Sequence, residues 1–266
     1  MTYRYYSQHG EDFLLWHFFN FRRSGFFLDI GAHDGIALSN TKSFEEHGWR
    51  GICVEPLPFV AEQCRQIRAR VVEAACVADD RASVRLTVDR SGLWAGIGAD
   101  MTEAAKAYKD REWGEPGFHE IDVPAVRAAH VLGPDDPPID FATIDVEGTE
   151  IDVLTGLDLR VNQPRILVVE ALTAQSLQKL DDFLSPLGYQ RARTVVCNHF
   201  YVRNAADANR LRAITINCHL TRPDSPGYGW DNGTAHAWQA PPVSGLAFVV
   251  GKLSQRLRDL RHGLGR

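Results

Sequence analysis

Short apolar runs that finish on a carboxylate recur along this chain. Residues 26–30, 51–55, 139–145 and 165–170 are rich in Phe, Ile and Val, too short for an average helix, and carry Asp29, Glu55, Asp145 and Glu170 at or near their carboxyl ends. Each predicts a strand buried on both faces, as strands of parallel sheets are. Residues 71–77 predict a further strand, residues 83–88 alternate like another, and residues 120–123 and two runs within 190–202, around Asn198 and His199, complete the set. Between them the spacing is helical. Residues 11–21 carry Phe13, Leu14, Trp16, Phe18 and Phe21 behind the acids Glu11 and Asp12, which suit a first helical turn. Helices are also predicted over residues 39–47, with Gly48 as a stop, and over 58–68, 125–132, 150–154 and 176–187. Strands alternating with helices predict an α/β fold, a mostly parallel sheet with helices on both faces, whose ligands sit at the carboxyl ends of the strands.

Two stretches depart from this rhythm. Residues 91–117 are Gly-rich, contain Trp94 and Trp113, and read as a lid or insertion; with Phe118 these aromatics are either a platform for a sugar face or a packed lid. Past Asn204 the pattern changes, residues 222–242 read as irregular, and residues 245–266 place Leu246, Val249, Val250, Leu253, Leu257 and Leu260 on helical spacing among arginines. The division predicted is a nucleotide-binding domain over 1–204 and an irregular C-terminal extension over 205–266 ending in a basic amphipathic helix. That helix would dock on its own domain or on a homodimer partner, with peripheral contact to a membrane surface as the alternative.

Composition narrows the function. A formal net charge of −5 over 266 residues supplies no electrostatic footprint for nucleic acid, so a small neutral or polar partner is expected. Five cysteines, Cys53, Cys64, Cys76, Cys197 and Cys218, form no CxxC pair, which argues against a disulfide framework and a zinc knuckle and for a reducing, cytoplasmic compartment. The first residues lack the apolar run of a secretory signal, and no stretch has the length of a membrane span.

The chemistry concentrates where the first strand ends. Phe26 to Ile30 pass into Gly31-Ala32-His33-Asp34-Gly35, a Gly-x-x-x-Gly turn able to cradle a nucleotide, with Asp29 placed to fix the turn or bond the ligand. Glu55 ends the next strand, where a carboxylate accepts from both hydroxyls of a ribose. His33 stands where the dinucleotide fingerprint has its second glycine, the residue that lets a pyrophosphate approach. An adenosine without phosphates fits better, and S-adenosyl-L-methionine is such a ligand. The NAD(P)-dependent oxidoreductase reading, which the acid after the second strand also suggests, is weakened by the same histidine. A non-catalytic adenosyl-binding or scaffold module is a third reading.

Five motifs in register, Tyr6-Ser7-Gln8-His9-Gly10-Glu11-Asp12, Phe27-Leu28-Asp29-Ile30-Gly31-Ala32, Ser39-Asn40-Thr41, the run from Gly48 to Pro56, and Ile144-Asp145-Val146-Glu147-Gly148, resemble the FkbM family of S-adenosylmethionine-dependent methyltransferases over roughly residues 5–203. The resemblance implies a class I methyltransferase (Rossmann-like) fold with a seven-stranded sheet, and methylation of a hydroxyl on a sugar or secondary metabolite. It places the cofactor against Asp29, Gly31, Ala32, His33 and Asp34, its ribose on Glu55 before Pro56, and its adenine near Ala75, Cys76 and Val77. The methionine end would lie near Gln8, Gly10, Ser39, Asn40 and Asp145, although Ser39 and Asn40 are also ordinary helix-starting residues.

A hydroxyl acceptor, on a small molecule or a glycan, must lose its proton during transfer. Asp145, Glu147, Glu170 and His199 are the candidate bases, His199 first because it titrates nearest neutrality; the competing reading is a packed structural histidine. A divalent metal held by Asp145 and Glu170, with Asn198 or His199 nearby, is the alternative way to stabilise the oxygen anion.

Overall fold

The computed structural model describes residues 4–89, 95–97, 118–215, 219–221 and 229–231. In chain order the first half contains α1 (Glu11–Phe18), β1 (Phe26–Ile30), α2 (Lys42–Glu46), β2 (Arg50–Val54), α3 (Pro58–Arg65), β3 (Val71–Val72), β4 (Ala75–Val77), β5 (Ser83–Asp89) and β6 (Ala95–Ile97). Then follow β7 (Phe118–Arg127), β8 (Phe141–Ile144), α4 (Glu150–Leu157), β9 (Ile166–Glu170), α5 (Ala174–Leu184), β10 (Gln190–Val195), β11 (Asn198–Val202), α6 (Ala205–Ala213), β12 (His219–Thr221) and β13 (Gly229–Asp231).

Seven strands form the central sheet in the order β10-β11-β9-β8-β1-β2-β3, parallel except for β11, which runs antiparallel to both of its neighbours. This is the sheet of the class I methyltransferase fold. Its two faces follow from the two-residue period of a strand. Phe27, Cys53, Phe141, Val168, Phe200 and Val202 point one way, into a cluster shared with α1, α2 and α6, where Trp16 stacks on Phe44 with ring centres 4.2 Å apart. Leu28, Ile52, Ala142, Ile144, Leu167, Val169 and Tyr201 point the other way, onto Val153, Leu154 and Leu157 of α4 and Leu180 and Leu184 of α5. Continuous apolar runs such as Phe26 to Leu28 are thus explained by burial on both sides.

The chain leaves this sheet after Val72. Residues 71–77, expected as one strand, are two: β3 ends the central sheet, and β4 joins a second, four-stranded sheet in the order β4-β7-β5-β6. α4 packs tightly behind that departure, because a Cβ on Gly156 would sit 1.9 Å from the Val77 carbonyl oxygen. The helix expected over 125–132 is instead the end of β7 and a single 3-10 turn at Ala128–Val131; pairing of β7 with β5 and β4 outweighs local helical spacing. A third apolar cluster, including Leu57, Val60, Val77, Val84, Leu86, Val88 and Val123, holds this sheet to α3.

Helix ends also differ from expectation. α2 begins at Lys42 because the Ser39 hydroxyl accepts from the backbone N–H groups of Thr41 and Lys42, making residues 39–41 a turn. Beyond residue 204, where the sequence suggested a boundary, α6 is capped by Asn204, which accepts from Asp207 N at 2.8 Å. Its Ala208 and Leu211 are fully buried, and Asp207 takes a bidentate bond from Arg165 at 2.9 and 2.7 Å, so the folded body runs to residue 213. Within the stretch read as irregular, β13 pairs antiparallel with β12. The helix expected over 245–266 and the aromatics Trp94 and Trp113 lie outside the described residues. Among the described residues no helix is long and apolar enough to cross a membrane, and Cys53, Cys64, Cys76 and Cys197 are buried and joined in no disulfide.

Candidate functional site

The exit from β1 is tied to the end of β2: Gly31 N and Ala32 N both donate to the Val54 carbonyl oxygen, at 2.9 and 3.0 Å. Gly31 has φ +87°, and a Cβ there would lie 1.9 Å from the carbonyl oxygen of Asp145, so the loops after β1 and β8 cross backbone against backbone. Only glycine satisfies both conditions. Next to it, His33 N donates to Glu55 Oε2 at 3.0 Å and Leu57 N donates to Glu55 Oε1 at 2.9 Å. The Glu55 carboxylate is therefore fixed by two backbone donors, and each oxygen retains a second lone pair for a ligand hydroxyl. Burial raises its pKa from the ordinary carboxylate value despite these bonds and the nearby His33.

These residues edge one cleft. Gly31, His33, Glu55 and Pro56 line it from the ends of β1 and β2, Ala75 and Cys76 from β4, and Asp145 and Glu147 from the loop after β8. Leu86 of β5 and Ala95 and Ile97 of β6, which sequence patterns alone did not assign to the site, also line it. Their only signal was the alternation of residues 83–88 and a Gly-rich run read as an insertion.

Other expected cofactor residues hold the cleft's frame rather than line it. Asp29 shares its face of β1 with Phe27, away from the cleft, and accepts from the Thr41 hydroxyl at 2.5 Å. Its pKa is raised by burial, against the opposing pull of Arg68 and Thr41. Arg68, missed in the sequence, has a fully buried side chain whose guanidinium donates to Glu45 at 2.5 Å, the Gly35 carbonyl at 3.0 Å and Thr41 at 2.7 Å, with Asp29 4.0 Å away. Asp34 Oδ1 accepts from Ile36 N and Ala37 N at 2.8 and 2.7 Å; although burial pushes its pKa up, His33 and these N–H groups hold it down to about 2. Ser39 serves its turn, and Asn40 donates to Thr143 at 2.9 Å, binding that turn to β8. Ala32 is buried at the β1 exit, and Val77 belongs to the third apolar cluster.

The amino-terminal segment is strapped down by two acids of α1. Asp12 accepts from Tyr6 N at 2.6 Å, Ser7 N at 3.2 Å and the Ser7 hydroxyl at 2.5 Å, while Glu11 accepts from His9 N at 2.8 Å and Asn198 at 2.6 Å. Burial lifts Asp12 to a pKa of about 7. Gly10, with φ 89°, starts α1, and the Nε2 of Gln8 is buried with no hydrogen-bond partner among the described residues.

At the opposite edge Asp145, Glu147 and Glu170 each bring a carboxylate oxygen within 4.8 Å of the others. Glu147 has φ 58°, an uncommon conformation for a non-glycine residue, followed by Gly148 at φ 117°. Gly148 N donates to Glu150 Oε1 at 2.8 Å, and burial lifts Glu150 to a pKa of about 7. Asn198 is the register partner of Glu170, but its amide is engaged with Glu11.

His199 is a correction. It alternates with Asn198 on β11 and so faces α5 on the other side of the sheet, 3% exposed, with Nδ1 bonded to the Thr194 hydroxyl at 2.9 Å and Nε2 3.4 Å from the Ala171 carbonyl. Burial lowers its pKa to about 4, so the ring is neutral at pH 7 and does not line the cleft. Neither the general-base role nor the metal-ligand role fits that position; Glu147 takes the histidine's place in the acid cluster.

No curated protein matches the chain in sequence. Among solved structures it is similar to precorrin-6y C5,15-methyltransferase from Geobacter metallireducens GS-15, at 14% identity and TM-score 0.38, covering 73% of this chain and 86% of that one. A SAM-dependent methyltransferase from Geobacter sulfurreducens in complex with S-adenosyl-L-homocysteine is 10% identical at TM-score 0.36, covering 70% of this chain and 65% of that one. The sequence matches the methyltransferase FkbM domain over residues 29–191, more than half of its length. That span contains the Gly31 turn, Glu55 and the Asp145 to Gly148 loop, and the chain belongs to the FkbM methyltransferase family.

Proposed function

We propose that this protein is an S-adenosylmethionine-dependent O-methyltransferase acting on a hydroxyl of a sugar or secondary metabolite. The observation that supports this reading is the sharing of one cleft by Glu55, fixed with free lone pairs on both oxygens, and the acids Asp145 and Glu147 across the Gly31 crossing. The residues suit the cofactor: the crossing leaves a backbone cradle, and no Lys or Arg lines the cleft among the described residues, as suits a nucleoside without phosphates. When bound, the cofactor would supply a methyl group on a positively charged sulfonium, which passes to the acceptor oxygen as the C–S bond breaks and the neutral thioether S-adenosylhomocysteine leaves. Glu55 holds the ribose diol, Gly31 and His33 flank it, and Gln8 offers its buried amide to the amino-acid end. Glu147, or Asp145 beside it, accepts the hydroxyl proton as the new bond forms, and the shared cleft keeps donor and acceptor in line.

A second reading, in which Asp145, Glu147 and Glu170 hold a divalent cation that orients the acceptor oxygen, is favoured by their mutual separation of at most 4.8 Å and by the preference of hard cations for carboxylates. Calorimetry with S-adenosylhomocysteine tests the first reading. Binding should occur in the wild type and weaken in Glu55→Ala by one to two decades, roughly the 1.5–3 kcal/mol of hydrogen bonds to a charged group. Turnover is then sought with the methyl-labelled cofactor and hydroxylated acceptors. Stabilisation by NAD, with none by S-adenosylhomocysteine, would overturn the reading.

A further inference from the structure

The three acids at the reacting edge are not held in the same way. Asp145 N donates to the Ile30 carbonyl oxygen at 3.0 Å, so the pairing of β8 with β1 reaches that residue, and Glu170 ends β9 as the register partner of Asn198. Both carboxylates hang from the central sheet. Glu147 does not: it lies in the turn between β8 and α4 at φ 58°, and Gly148 follows at φ 117°. A left-handed backbone at a residue other than glycine is costly and persists only where the surroundings impose it. Packing against Gly148 does not, since nothing among the described residues lies within 4 Å of where a Cβ on it would stand. A side chain does. Glu150, the first residue of α4, reaches back past the N-cap Thr149, which makes no side-chain capping bond, and accepts from Gly148 N at 2.8 Å. Its carboxylate is buried to make that bond, at a cost in lost hydration.

Resting on the methyltransferase reading, in which Glu147 takes the acceptor's proton, we infer that Glu150 is a positioning residue: its bond to Gly148 N holds the left-handed turn that aims the Glu147 carboxylate into the cleft beside Asp145 and Glu170. The placement that depends on this turn is a narrow one. Glu147 and Asp145 both line the cleft, and an oxygen of each falls within 4.8 Å of the other and of one from Glu170. Relaxation of Glu147 to a negative φ would swing its side chain off that edge, and a misplacement of about 1 Å can cost about a hundredfold in rate. The role asks for an acceptor of the right reach at residue 150, not for a charge there, and this distinguishes it from a relay that passes the proton on.

Three substitutions in the full chain separate bond from charge. Glu150→Gln keeps an acceptor and loses the charge, Glu150→Asp keeps the charge one methylene short of Gly148 N, and Glu150→Ala loses both. With S-adenosylmethionine and a hydroxyl acceptor that the wild type methylates, kcat should stay within a few-fold in Glu150→Gln and fall about ten- to a hundredfold in the other two. The acceptor KM and the calorimetric affinity for S-adenosylhomocysteine should stay within about threefold of wild type throughout. Deuterium exchange at Gly148 N–H should be slower in the wild type and Glu150→Gln than in the other two. In a Glu147→Gln background Glu150→Ala should lower kcat no further, as befits a residue that acts only through Glu147. Wild-type kcat in Glu150→Asp and Glu150→Ala would overturn the assignment, as would an equal loss in Glu150→Gln, which would make the charge the working part. A loss of S-adenosylhomocysteine affinity matching the loss of kcat would overturn it too, reducing Glu150 to a helix cap. Glu150→Gln and Glu150→Asp decide the matter if Glu150→Ala does not fold. A wild type that binds no S-adenosylhomocysteine, or methylates no hydroxyl, would reject the underlying reading itself, and no variant is needed to see that.

Discussion

Gly31 meets Asp145 backbone to backbone: a Cβ on the glycine would lie 1.9 Å from the carbonyl oxygen of the aspartate. The contact joins the loop that leads to His33 and Glu55 with the loop that carries Asp145 and Glu147, and it sets how far the two edges of the cleft stand apart. Gly31→Ala should therefore do more than strain a positive φ, whose cost is about 1–2 kcal/mol; it should force the loops apart and abolish measurable S-adenosylhomocysteine binding. Gly148, at φ +117° with no atom within 4 Å of where a methyl group on it would stand, is the control, and its alanine variant should show the conformational cost alone. Denaturant titration and calorimetry of the pair check this, and equal losses in both variants would show the crossing to be looser than the geometry states.

Arg68 is predicted to be the main structural cation of the turn. Its removal in Arg68→Met would leave Asp29 and Glu45 without their buried partner, and breaking such pairs typically costs about 3–5 kcal/mol. Adding Asp29→Asn should return part of that stability, since the orphaned charge is then gone. Strictly additive losses in the double variant would separate the two residues energetically.

The strand ends were legible because burial on both faces writes a continuous apolar run, and the acid at or near the end of each run is visible in the sequence: Asp29, Glu55, Asp145 and Glu170. What the run does not carry is facing. Asp29 and Glu55 look equivalent as letters, yet Asp29 falls on the Phe27 face against α2 while Glu55, one residue past β2, turns into the cleft. The same ambiguity affects His199 and Asn198, adjacent residues sent to opposite sides of the sheet by the two-residue period. Arg68 and the β6 residues of the cleft were hidden for another reason. Their partners lie 23 to 39 residues away for Arg68 and on a second sheet for Ile97, and no local pattern encodes such contacts.

Glu150 gives a pH signature. Burial lifts its pKa to about 7 in the folded protein, above the ordinary 4.5, so between these values the folded state binds more protons than the unfolded one. Stability from this group is then full below about pH 4.5 and is lost as pH rises towards 7. Glu150→Gln keeps an acceptor for Gly148 N and removes the titration. The stability of the wild type relative to Glu150→Gln should fall across that window, by at most about 1.4 kcal/mol per pH unit. Parallel stability profiles for the two proteins, measured by urea titration from pH 4 to 8, would contradict the shift.

The reacting end separates Glu147, His199 and a metal. Glu147 lines the cleft, whereas His199 is buried behind β11 with a pKa lowered to about 4. If Glu147 takes the acceptor's proton, Glu147→Gln should lower kcat by about two to four decades with cofactor affinity nearly unchanged, because the amide keeps the shape and cannot accept the proton. His199→Gln should leave kcat within a few-fold and act mainly through stability, through the bonds to Thr194 and Ala171. Chelation discriminates further: activity insensitive to chelators supports the carboxylate as base, whereas loss that added magnesium or manganese restores assigns Asp145, Glu147 and Glu170 to a cation. A fall in kcat on His199→Gln as large as on Glu147→Gln would require the histidine to reach the cleft, which its place on the α5 face of the sheet forbids without rearrangement of β11.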